Sequence, residues 1–237
     1  GIAPRVIIEV FNMIERGRSR HSHSVRASML ELHRQDLVDL LVKGNPAASV
    51  GKLQIRQERS GSVFVENLTE EECRSAEELR ALLERGCRSR AVAATALNSE
   101  SSRSHLILII KITSINKETN EQQRGKILVV DLAGSERLKK SMTTVEAQKE
   151  SIEINKSLTA LGDVIEALTK HQRQIPYRNH KLTQLMQDSL GGSSKTLMFV
   201  NCSPAASSFD ETLMSLKYAQ RAKKITNPAR RHGWPNL

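Results

Sequence analysis

Aromatic side chains are scarce in this chain: Phe, Tyr and Trp make up 3% of its 237 residues. That weighs against modules that recognise single-stranded nucleic acid by stacking bases on aromatic rings. Cysteine is sparse too. Cys73, Cys87 and Cys202 are odd in number, far apart and form no C-x-x-C pair, which fits a reducing compartment and argues against a zinc site. Long apolar runs are missing. The longest aliphatic run, Leu106 to Ile110, is stopped by Lys111, far short of a bilayer's thickness, so no membrane partner is expected. The N-terminus shows no charged segment leading into a long apolar one, so no secretory signal is expected. The chain opens on Gly1 rather than Met, and the expectation is a fragment or a processed product.

Acidic residues are in deficit. Against 36 Lys and Arg stand 26 Asp and Glu, a formal net charge of +10. Such a balance favours a polyanionic partner: nucleic acid, an anionic membrane or an acidic protein surface. No recognition helix or stacking motif supports a nucleic-acid partner. The length suits one sizeable domain, or at most two small ones.

A phosphate-cradling loop is also absent. Residues 188–199, DSLGGSSKTLMF, look at a glance like G-x-x-x-x-G-K-[ST]. A P-loop follows a strand and opens a helix, so that backbone N–H groups and the helix dipole meet the phosphates. Here the order is reversed. A helix closes at Leu190, Gly191 and Gly192 end it, and Lys195-Thr196 lead into an expected buried strand; no glycine directly precedes Lys195. A glycine pair at a helix C-terminus is the better reading, and no other G-K-[ST] occurs in the chain.

Helix and strand patterns alternate along the chain. GIAPRVIIEVFNMIERG carries Val6, Ile7, Val10, Phe11 and Ile14 at helical spacing. HSVRASMLEL reads as a strand, and VFV (63–65) as a partner of LQIRQ across the ERSGS turn. SAEELRALLERG predicts a helix with Ser75 and Glu78 in capping-box register. HLILIIKIT and GKILVVDLA are β-branched runs joined by a polar hairpin loop, SINKETNEQQRG. A long helix is expected over 146–170, another over NHKLTQLMQDSL, a strand at TLMFVNCSP, and a final amphipathic helix, DETLMSLKYAQRAKKI, whose Leu213, Leu216, Ala219 and Ala222 read as core packing. TNPARRHGWPNL reads as a tail. This order predicts an α/β protein with a mixed central sheet flanked by helices, the hairpin supplying antiparallel neighbours.

Two stretches carry chemistry. GKILVVDLAGSER reads as a buried strand that delivers Asp131 at its end, with Gly134 three residues on. In many nucleotide-hydrolysing proteins D-x-x-G in this setting is the second switch: the Asp holds the Mg²⁺ shell and the Gly amide senses the γ-phosphate. An ordinary turn after a strand accounts for the same letters. NSESSRSH (98–105) sets three small hydroxyl residues around Arg103 just before a strand. It reads either as a Ser-rich turn or as a loop whose hydroxyls ligate Mg²⁺ and position water, Arg103 pairing with Glu136 when the loops close. The two together are more specific than either alone.

NSESSRSH and DLAGSER resemble the first and second switch motifs of kinesins. INKSLTALGDVIEAL (154–168), IPYRNHKLTQLMQDSLGGSSKTLMFVNCSP (175–204) and DETLMSLKYAQRAKKI (210–225) resemble further stretches of the kinesin motor domain, in the same order. LGDVIEAL, YRNHKLT and KTLMFVNCSP are most similar to C-terminal-motor, minus-end-directed kinesins, the group that includes the plant kinesin-like calmodulin-binding protein. The resemblance covers the chain to about Ile225. It implies a kinesin-type P-loop NTPase fold cut before the P-loop, with residues 1–226 a partial motor domain and 227–237 a basic tail or neck remnant. It implies a microtubule-based motor using ATP and Mg²⁺ in the cytoplasm on the microtubule cytoskeleton, with tubulin as the acidic partner and dimerisation left to parts of the chain not present. Microtubule-stimulated ATP turnover would belong to the intact motor. The alternative is a non-motor remnant that binds microtubules without turnover.

By the same resemblance, Ser101 and Ser102 serve Mg²⁺ and water around the γ-phosphate, and Asn98 shapes the first switch loop. Arg103 bridges to Glu136, Asp131 holds the Mg²⁺ shell through water, and Gly134 donates to the γ-phosphate. A helix around Asn155 to Leu168 lies on the microtubule, flanked by Arg137, Lys139 and Lys140 on one side and by Tyr177, Arg178 and Lys181 on the other. The chain departs from the family pattern where glycines are usual after the second switch, with Met142 and Val145 in KKSMTTVEAQKES, and where ELHRQ puts His33 in place of a tyrosine. NPARRHGWPNL matches no neck pattern, so direction of travel is not assigned.

Overall fold

A computed structural model describes residues 1–96, 103–134 and 145–226, with the side chains of 92–96 and 145–154 left aside. The chain falls into two compact units, residues 1–54 with 66–133, and residues 55–65 with 134–237.

The first unit is built on a strongly apolar antiparallel sheet. Strand β1 (His21–His33) is its axis. Along it Val25, Ala27 and Met29 alternate onto one face, as strand periodicity requires, and all three are buried. Opposite stands β6 (His105–Asn116), with Met29 facing Leu108 and Ala27 facing Ile110. Strand β2 (Asp36–Asp39) pairs with the other edge of β1, and the short β5 (Glu71–Glu72) adds to it at Arg26 and Ala27. The order is β2-β1-β6-β7, where β7 is Gln122–Asp131.

Helices α1 (Ile2–Gly17) and α2 (Ala76–Ala96) cover one face. Ile7 of α1 and Leu79 and Leu82 of α2 join Val25, Ala27, Met29, Leu108 and Ile110 in a single buried cluster. Helix α2 starts as its sequence predicts. The Glu78 amide donates to Ser75 Oγ at 3.2 Å, and the Glu78 carboxylate accepts from the Arg74 amide at 2.7 Å, so two N-terminal donors are satisfied.

In the second unit a hairpin of β3 (Gln54–Gln57) and β4 (Val63–Glu66) forms as expected, turning through Glu58–Ser62. The long helix α3 (Val145–Thr169) buries Ala160, Leu161, Val164 and Ile165 at i, i+3, i+4 spacing. It packs against α4 (Lys181–Leu185) and α6 (Phe209–Ala222). Between them α5 (Gln187–Leu190) holds Asp188, whose carboxylate accepts the Val63 amide of the hairpin at 2.8 Å.

Five expectations are corrected. TLMFVNCSP forms no strand: Leu197 is 77% and Phe199 56% exposed, because a strand needs a neighbour to pair with, whatever its composition. Strand β7 is half-buried rather than buried, standing at the sheet's edge with no second partner among the described residues. The hairpin loop is shorter than SINKETNEQQRG, since both strands run on until Asn116 closes the turn by accepting the Glu118 and Thr119 amides. NHKLTQLMQDSL is not one helix but α4 and α5, broken at Met186. Helix α6 buries no residue fully, and Leu213 and Leu216 are exposed; its contact with α3 runs through Tyr218, whose ring would touch a Cβ at Gly162 at 3.6 Å. The tail 227–237 lies outside the described residues.

Candidate functional site

Sheet geometry brings the two motif-bearing stretches together. β6 and β7 are antiparallel, with Leu106 opposite Asp131. The end where NSESSRSH runs into β6 is therefore the end where β7 runs out into DLAG. The two are joined directly: the Ala133 amide donates to His105 Nδ1 at 3.0 Å, and both residues are buried. That bond fixes the imidazole with Nδ1 as acceptor, so Nε2 carries the proton when the ring is neutral.

Asp131 ends β7 with its side chain exposed, and Gly134 follows three residues later. Arg103 is half-buried two residues before His105 and is engaged in contacts. Asn98, Ser101, Ser102, Glu136, Arg137, Lys139 and Lys140 lie outside the described residues, as does the Arg103–Glu136 pair. The one described carboxylate, that of exposed Asp131, suits a Mg²⁺ held mainly by phosphate and water rather than by a protein cage. Among the described residues no group of three or more His, Cys, Asp or Glu forms a metal cage.

The second group of residues belongs to the second unit. IPYRNHKLT folds as a one-turn 3-10 helix, Tyr177–Asn179, followed by α4. His180 caps α4 by accepting the Leu182 amide on Nδ1 at 3.1 Å. The Thr183 hydroxyl is bonded to the carbonyls of Tyr177 and His180, at 2.7 and 2.8 Å. This buried scaffold leaves Arg178 exposed, Lys181 and Tyr177 half-exposed, and Asn155 of α3 half-exposed. Burial pushes the Tyr177 hydroxyl above its ordinary range, so it is a neutral donor at physiological pH.

The GGSSK stretch has a structural explanation. Gly191 ends α5 with its amide on the Gln187 carbonyl, at φ −119°. A Cβ there would lie 2.0 Å from the Tyr177 hydroxyl and 3.1 Å from Leu168 Cδ2, and one at Gly192 would lie 2.5 Å from the Asp188 carbonyl oxygen. Close approach, rather than a left-handed backbone, accounts for both glycines: at Gly192 the obstacle is backbone, and at Gly191 it is the end of the Tyr177 side chain, which a methyl group would displace.

Sequence reasoning missed a buried polar cluster behind the first stretch, made by Glu31, Arg90 and Ser104. A signal was present: Glu31 falls in phase with Val25, Ala27 and Met29 on the core-facing side of β1. No helix among the described residues is long and apolar enough to cross a membrane.

The kinesin motor-domain family model matches residues 1–225. Kinesin-like protein KIN-14E of Arabidopsis thaliana is 53% identical over 232 residues, 98% of this chain and 18% of that protein. Kinesin-like protein KIN-14I of Oryza sativa subsp. japonica is 52% identical over 99% of this chain and 19% of its own length. Among solved structures, a fast kinesin described for its ATPase mechanism and its interactions with microtubules matches with TM-score 0.88 at 40% identity, over 97% of this chain and 64% of that one. The motor domain of Kar3, a Saccharomyces cerevisiae kinesin-related protein, matches with TM-score 0.79 at 38% identity, over 94% and 67%. The chain thus spans under a fifth of the two plant proteins, 18% and 19%. With its motifs, its sheet and these likenesses in agreement, the chain belongs to the kinesin motor-domain family.

Proposed function

We propose that this chain is the switch-bearing, microtubule-binding part of an ATP-driven kinesin motor. The observation that supports it most is the joining of the two motif stretches at one end of the sheet, through His105 and Ala133. A change of position in either stretch is thereby passed to the other. Bound ATP with Mg²⁺ would supply the γ-phosphate whose presence or loss the two stretches report.

Asp131, with Ser102, would hold the Mg²⁺ shell, and Gly134 would present its amide to the phosphate. Ser101 and Asn98 would order the first stretch. Arg103 and Glu136 would close one stretch on the other. The work of these groups is positioning and charge placement, not covalent chemistry. The family's phosphate cradle, absent from these 237 residues, would be supplied from elsewhere in the motor. Residues 1–226 would act as one functional part, and 227–237 as a basic tail or neck segment. Any dimer would form through other segments.

The basic face would be read by tubulin's acidic surface in the cytoplasm. Arg178, Tyr177 and Lys181 stand on the capped turn, Asn155 on α3, and Arg137, Lys139 and Lys140 precede that helix. The net charge of +10 then has a partner. The second reading is a microtubule-binding protein without ATP turnover.

Microtubule-stimulated ATP hydrolysis by the full-length protein separates the two. The motor reading expects stimulation, and expects Gly134→Ala to abolish it, because the added methyl crowds the phosphate-facing amide. Turnover unchanged by Gly134→Ala would remove Gly134 from that role. Microtubule binding without any turnover would favour the second reading.

A further inference from the structure

Glu31 sits where the sheet is otherwise packed with aliphatic side chains, and its own side chain is only 1% exposed. A carboxylate in that position requires a cation and further donors. Arg90, projecting from α2 and 13% exposed, supplies both. Its Nε donates to Glu31 Oε1 at 3.0 Å. Its Nη2 reaches past Glu31 to Ser104, donating to the carbonyl oxygen at 3.0 Å and to Oγ at 3.1 Å. The Ser104 hydroxyl in turn donates to Glu31 Oε1. The next residue, His105, accepts the Ala133 amide. One bonded path therefore runs from α2, through the end of NSESSRSH, to DLAG.

An ion pair that only stabilised the unit would be complete with Arg90 and Glu31. Buried pairs are in any case weak stabilisers, often replaceable by apolar side chains of similar volume. The part of the arrangement that such a role does not require is the hold on Ser104, through two atoms of one residue by a planar fork that a lysine cannot imitate.

We infer that Arg90, neutralised by Glu31, is a positioning residue: it fixes where the Ser-rich stretch enters β6 and, through His105, where the Ala133 amide stands. Its meaning for turnover rests on the motor reading above; the geometric claim does not.

The test is amide hydrogen exchange on the intact chain, free of nucleotide and microtubules. The Ala133 amide bonds to neither Arg90 nor Glu31, so it reports a transmitted effect. Leu30 and Ile107, paired across β1 and β6, report the stability of the sheet itself. In Arg90→Lys, which keeps the charge but loses the fork, exchange at Ala133 should accelerate by about ten-fold beyond any acceleration at Leu30 and Ile107. Ser104→Ala, which leaves the Arg90–Glu31 pair in place, should do the same to a smaller degree, and it decides alone where Arg90→Lys fails to fold. Equal acceleration at all three amides would make the pair merely structural and overturn the inference. So would an unchanged Ala133, since His105 would then hold it without help. Failure of the motor reading would show separately, as absent turnover in the unsubstituted full-length protein.

Discussion

At the residue scale, the site's neighbourhood is governed by close packing. Gly191 leaves no room for a methyl group: its Cβ would stand 2.0 Å from the Tyr177 hydroxyl. Gly191→Ala should therefore lower stability by about 1–3 kcal/mol, the usual range for overpacking, read as a lower denaturant midpoint. Tyr177→Phe removes the oxygen that the methyl meets, so Gly191→Ala in that background should cost less. Equal losses in both backgrounds would place the strain elsewhere. Cys73 gives a second test. Burial first, then the Glu78 and Glu71 carboxylates, push its thiol from 9.0 to about 11. A raised thiol pKa means the folded state holds its proton longer than the unfolded chain does. The contribution to stability is complete below pH 9 and is lost as pH climbs from 9 towards 11. Cys73→Ala should flatten the denaturation midpoint over that window. At pH 8 a thiol alkylating reagent should reach exposed Cys87 and Cys202 well before Cys73.

At the scale of elements, what was legible was what neighbours in sequence decide. The strands at HSVRASMLEL and HLILIIKIT, the Ser75–Glu78 cap and the long helix over 146–170 each follow from a local pattern, and each formed. Elements that depend on a distant partner were not legible. Thr196 to Cys202 has strand composition and forms no strand, because pairing is decided by what stands alongside. The cluster of Glu31, Arg90 and Ser104 joins residues 59 and 14 positions apart, a spacing that no local pattern encodes. The exposed run has a consequence in solution. Leu197 and Phe199 within it leave apolar side chains uncovered, and exposed apolar surface favours association. Phe199→Asp should reduce concentration-dependent light scattering without moving the denaturation midpoint. A midpoint lowered as far as a core substitution lowers it would mean Phe199 is packed rather than exposed.

For the whole molecule, family membership was readable because motifs, not composition, carry it: NSESSRSH and DLAGSER in that order are far more specific than a net charge of +10. The sheet then explains why those motifs occur where they do, since antiparallel β6 and β7 must begin and end at the same edge. The capped turn leaves Arg178 exposed beside buried His180 and Thr183, and the proposal places a contact with an acidic partner there. The most direct measurement of the central proposal is co-sedimentation of this chain with microtubules across a salt series, unsubstituted and as Arg178→Ala. The account predicts that the folded chain sediments with microtubules, that added salt releases it, and that Arg178→Ala binds more weakly with a shallower salt dependence. A folded chain that stays in the supernatant at low salt would contradict it.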